Sequence, residues 1–93
     1  MSWKTVTLSS AGAMDRLQEA FFKRFVAAGS PHDAVIYTDL NDSDTGVEGI
    51  RIFFSPAAVV IAGPLLAAYS PVDCPEPAPG SFAVLVSNST RMS

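Results

Sequence analysis

The sequence predicts an α+β fold in which two helices cover one face of an antiparallel sheet. Three observations carry this prediction. Short stretches alternate apolar and polar residues with period two, and one stretch repeats apolar residues at intervals of three and four. A long uncharged stretch, residues 52–72, splits at Ser55-Pro56 into a strand and a second helix. A chain of 93 residues has room for one domain and one core.

Residues 3–8 are rich in β-branched side chains and place Val6 and Leu8 opposite Trp3, Thr5 and Thr7, as a first strand would. Ser9, Ser10 and Gly12 then supply capping chemistry. The following segment sets Met14, Leu17, Phe21 and Phe25 on one helical stripe. Asp15 and Glu19 lie toward its start and Lys23 and Arg24 toward its end, the order the helix dipole favours. Glu19 and Lys23 are also spaced for an i,i+4 pair. Gly29 followed by Ser30-Pro31 stops the helix.

Residues 34–40 form the expected second strand. The turn-rich segment 41–49 joins it to a third, residues 50–54, whose Ile50, Ile52 and Phe54 face one way and Arg51 and Phe53 the other. The second helix is expected over residues 56–69, with Ser55 as N-cap and Pro56 in the first turn. It is apolar all round, which predicts cover on more than one side, and Gly63-Pro64 predicts a kink or break. Pro71, Pro75, Pro77 and Pro79 mark an extended connector to a last strand, residues 82–87. One domain over 1–87 and a frayed tail over 88–93 follow. The order β-α-β-β-α-β is the split βαβ, or ferredoxin-like, plan with a four-stranded sheet. No residue motif of a known family accompanies it, and there is no Cys-x-x-Cys metal pair.

Hydrophobic residues make up 48% of the chain and charged ones 16%, which excludes a disordered tail. The net charge of −3 disfavours binding to nucleic acid, because nothing draws the molecule generally toward phosphate backbones. The prolines in the long apolar stretch count against a membrane span. The first residues lack a basic segment followed by an apolar one, so the cytoplasm is the expected compartment.

Chemistry-bearing residues are sparse. Cys74, the single cysteine, lies among prolines with no nearby cationic residue to activate it, and His32-Asp33 pairs a histidine with a carboxylate that a strand would turn away. The acidic loop 39–48 has oxygen donors for a cation, but the twelfth position counted from Asn41 is Ile52 and not a carboxylate. No phosphate-cradling glycine loop occurs. No catalytic residue, metal ligand set or cofactor is therefore expected, and nothing points to an enzyme.

The apolar excess is the functional clue. The core is expected to take Val6, Leu8, Ile36, Ile50, Ile52, Phe54, Phe82, Val84 and Val86 against Met14, Leu17, Phe21, Phe25, Val60, Ile61 and Leu65. The other sheet face then carries Trp3, Tyr37, Arg51, Phe53 and Leu85, too apolar to stay bare. The expected role is protein interaction, as a homodimer or with another protein, through this face, the second helix or both. The alternative is a small-molecule-binding or catalytic dimer resembling α+β barrels, with Trp3, Tyr37, Phe53 and His32 lining a pocket.

Overall fold

The computed structural model describes residues 2–39, 50–78, 80 and 82–88. Its elements are β1 (Trp3–Leu8), α1 (Ala11–Ala27), β2 (Ile36–Asp39), β3 (Ile50–Phe54), α2 (Pro56–Ala62), a 3-10 helix (Gly63–Tyr69), β4 (Val72–Cys74) and β5 (Phe82–Val86). The fold is α+β, with one antiparallel sheet in the order β4-β1-β3-β2-β5.

Among the described residues the sheet has five strands where four were expected. The plan read from the sequence would set the last strand beside β1; instead Val72–Cys74, within the expected connector, pairs there, and Phe82–Val86 pairs with β2 at the opposite edge. The proline-flanked stretch is extended enough to pair over its short length, which proline density had hidden.

Local chemistry sets the helix ends. Ser10 caps α1, its hydroxyl accepting from the Ala13 amide at 3.1 Å. Gly29, at φ +92°, closes the other end, and the Ser30 amide bonds back to the Phe25 carbonyl at 3.0 Å. The expected Glu19–Lys23 pair is not formed among the described residues. Ser55 caps α2 with Pro56 in its first turn, as the sequence indicated. The expected break falls at Gly63, where φ +51° ends the α-helix and the chain tightens into 3-10 form. The Arg24 side chain crosses from α1 and donates to the Ile61 carbonyl at 2.8 Å, satisfying an acceptor at the end of α2.

The core lies between the two helices and one sheet face. It holds Val6, Leu8, Ile36, Ile52, Phe54 and Val86 from the sheet, and Leu17, Phe21, Phe25, Ala58, Ala62 and Leu66 from the helical side. Phe21 and Phe54 meet edge to face at 5.7 Å. Two expectations for the helical layer need correction. Val60 is 63% exposed and takes no part in the core, and the 3-10 geometry buries Leu66 more deeply than Leu65. Among the described residues α2 is therefore covered on its alanine side while Val60 faces out.

Asn88 is tied to the domain by a bond from its side-chain amide to the Ser30 carbonyl at 2.6 Å. The calcium-like loop falls almost wholly, and the tail beyond Asn88 wholly, outside the described residues. No helix among the described residues is long and apolar enough to cross a membrane.

Candidate functional site

Cross-strand partners share a face of the sheet, so pairing registers define what lies opposite the helices. Thr5 and Tyr37 each pair with Phe53, and Thr7 pairs with Arg51. On β4, Cys74 pairs with Trp3 and Val72 with Thr5; on β5, Val84 pairs with Tyr37. A row therefore runs across the sheet through Val72, Thr5, Phe53, Tyr37 and Val84, with Trp3 and Cys74 next to it on β1 and β4.

The aromatic rings of this face are in contact. Trp3 and Tyr37 stack at 5.7 Å with 16° between their planes. Because β3 separates their strands, the stack crosses over β3. Phe82 meets Phe53 edge to face at 4.9 Å, and Phe53 retains only 9% exposure although no helix lies on this side. Aromatic contacts of this geometry add roughly 0.5–1.5 kcal/mol beyond the area they bury. The face thus carries ring pairs that are already assembled. Its ends remain bare, with Val72 61% and Val84 48% exposed.

Of the residues singled out from the sequence, Trp3, Tyr37, Arg51 and Phe53 come together on this face. Leu85 does not: it packs against the core and borders a groove with Asp15, Gln18, Glu19 and Phe22 of α1. Phe82 and Val84, assigned to the core from their alternation, stand on the open face instead. The physical reason is an irregularity in the β2–β5 ladder. Ile36 pairs with Val86 and Tyr37 with Val84, so Leu85 has no opposite number and both it and Val86 turn inward. Phe82, Val84, Val72 and Cys74 are the members of the face that sequence reasoning missed. Both alternate sets of residues 82–86 are apolar, so periodicity carried no signal for which set faces the helices.

His32 and Asp33 are both exposed. His32 borders an open groove of about 420 Å³ with Val35, Tyr37, Val84, Ser87 and Asn88, adjoining the β5 end of the aromatic face. The Asp33 carbonyl accepts from the Ser55 hydroxyl at 2.8 Å. Partial burial raises the Cys74 thiol above its ordinary range, the neighbouring Asp73 carboxylate raises it further, and Lys4 opposes both. Lys4 and Asp73 form an ion pair between β1 and β4. Among the described residues no group of His, Cys, Asp and Glu side chains is placed to hold a metal ion.

Comparison of the chain with family models, with curated proteins and with solved structures returns no match.

Proposed function

We propose that this chain is a small, non-enzymatic protein-interaction domain that forms a homodimer by apposing two copies of its open sheet face. The aromatic side chains of β1, β2, β3 and β5 on one face, flanked by Val72 of β4, are the observation that supports this reading. Five strands spaced about 4.8 Å apart, with roughly 17 Å of strand length, present a face on the order of 400 Å². The largest apolar patch on a typical monomer is of that order and is often functional. A second copy fits because a two-fold interface brings one patch against itself, and two sheets stacked about 10 Å apart make a sandwich core. On this reading the fold is the ferredoxin-like plan with β5 added at one edge, and the protein works in the cytoplasm. Size-exclusion chromatography with light scattering at high micromolar concentration should give twice the chain mass. A monomer under those conditions overturns the homodimer.

The groove around His32 favours a second reading, in which the dimer holds a small molecule against Tyr37 and Val84. A thermal-shift screen of metabolites distinguishes the two, since a ligand of the folded form raises its apparent stability. The interaction reading expects no such shift.

A further inference from the structure

The two edges of the sheet are built differently. At one edge, β4 is three residues long, is flanked by Pro71 and Pro75, and carries Asp73. Shortness, proline and charge are the devices by which edge strands avoid pairing with other chains. At the other edge, β5 is five residues long, Phe-Ala-Val-Leu-Val, with neither proline nor charge, and the bulge at Leu85 is the one such device it carries. Among the described residues β5 has β2 as its neighbour and no strand on its outer side. A strand with one neighbour leaves half of its ladder donors and acceptors unpaired.

That edge opens onto the groove of about 500 Å³ bordered by Asp15, Gln18, Glu19, Phe22, Leu85 and Val86. The Gln18 side-chain amide donates to the Leu85 carbonyl at 3.2 Å, so α1 already reaches the β5 backbone from the far side of the groove. Asp15 and Glu19 form no ion pair among the described residues. A strand added about 4.8 Å outside β5 would direct alternate side chains toward these carboxylates and the half-exposed Phe22. A second copy of β5 is a poor occupant, because two-fold pairing would bring the Asp15 and Glu19 carboxylates of both copies together.

We propose that the β5 edge and the α1 groove form a docking site for an extended segment of another protein that alternates basic and apolar residues. Such a segment pairs with β5 as a sixth strand, its backbone completing the ladder and its basic side chains meeting Asp15 and Glu19. This goes beyond the homodimer reading, since apposed sheet faces leave this edge open.

A fluorescently labelled, end-capped peptide of alternating lysine and valine is the probe. Titration should show saturable binding, with backbone amide resonances of residues 82–86 and of Gln18 shifting together. A peptide N-methylated at alternate amides should bind about tenfold more weakly or not at all, because it cannot complete the ladder. The Asp15→Asn/Glu19→Lys double variant should weaken the unmodified peptide at least about tenfold, with an unchanged circular dichroism spectrum. No binding at millimolar peptide overturns the proposal, as does equal binding of the N-methylated peptide, which would be charge adsorption alone. Concentration-dependent protection of the β5 amides without peptide also overturns it, since a second copy would then hold the edge.

Discussion

The hydroxyl of Ser55, 2% exposed, serves three backbone groups at the junction of β3 and α2. It accepts from the Ala58 amide at 3.2 Å and the Val35 amide at 3.0 Å, and it donates to the Asp33 carbonyl at 2.8 Å. Only the first of these, the cap, was legible in the sequence, where serine preceding proline announces a helix start. The other two join segments twenty residues or more apart in sequence, and no local pattern reports them. Ser55→Ala removes the cap and strands a partly buried amide, so it should destabilise the domain by about 2–3 kcal/mol, measured by urea denaturation. A loss below about 0.5 kcal/mol would mean that the Val35 and Asp33 groups find other partners. Cys74 was less legible: the sequence shows no cation beside it, but the fold brings Lys4 near and sets Cys74 opposite Trp3. With the thiol raised by burial and Asp73, less thiolate is present near pH 8 than in an unfolded chain. Iodoacetamide should therefore react more slowly with the folded protein, and denaturant should restore the rate of a free cysteine peptide. In the pH range between the unfolded and folded thiol values the folded state binds more protons. The contribution of Cys74 to stability is accordingly complete below that range and falls as pH rises through it.

Elements with one apolar stripe, such as α1, or with clear polar alternation, such as β1 and β3, were legible because burial leaves a periodic trace. The elements that were misread have no such trace. β5 is apolar at every position, and β4 is a three-residue strand between prolines; their places depend on which edge of the sheet is open to each, a long-range matter. The break at Gly63 was legible because a glycine before proline disturbs a helix wherever it lies. Two glycines in the helical layer should respond oppositely to alanine. Gly63 sits at φ +51°, and a Cβ there would meet the Arg24 guanidinium at 3.2 Å, so Gly63→Ala should cost about 1–3 kcal/mol. Gly12 lies in the first turn of α1, where a Cβ meets Arg16 and Ser10 at ordinary distances of 3.6 and 3.8 Å. Gly12→Ala should therefore gain about 0.4–1 kcal/mol through the unfolded chain. Thermal melts of both variants test the pair, and a destabilised Gly12→Ala would show that the α1 cap needs the smaller residue.

At the scale of the whole molecule, the apolar excess noted in the sequence has two outlets, and they lie on opposite sides. One is the aromatic sheet face; the other is the outer surface of the helices, where Phe22, Val26 and Val60 are exposed. The two differ in construction. On the helical surface the exposed Phe22 rests against the buried Phe25 at 6.3 Å, whereas the sheet face holds two ring pairs, Trp3 with Tyr37 and Phe53 with Phe82, before any partner arrives. A preorganised patch gives up less side-chain entropy on association, which favours the sheet face as the dimer surface. Variants at exposed positions separate the outlets without touching the core. Val72→Glu and Val84→Glu place a charge at each end of the sheet face, and Val60→Glu places one on α2. If the sheet faces meet, either sheet variant should raise the dimer dissociation constant about tenfold or more, since a charge buried without a partner weakens an interface by kilocalories. Val60→Glu should leave the constant within about twofold of the parent, as surface substitutions outside an interface do. Sedimentation equilibrium over a concentration series reads all three. Dissociation by Val60→Glu alone would move the interface to the helices and leave the aromatic face to another partner.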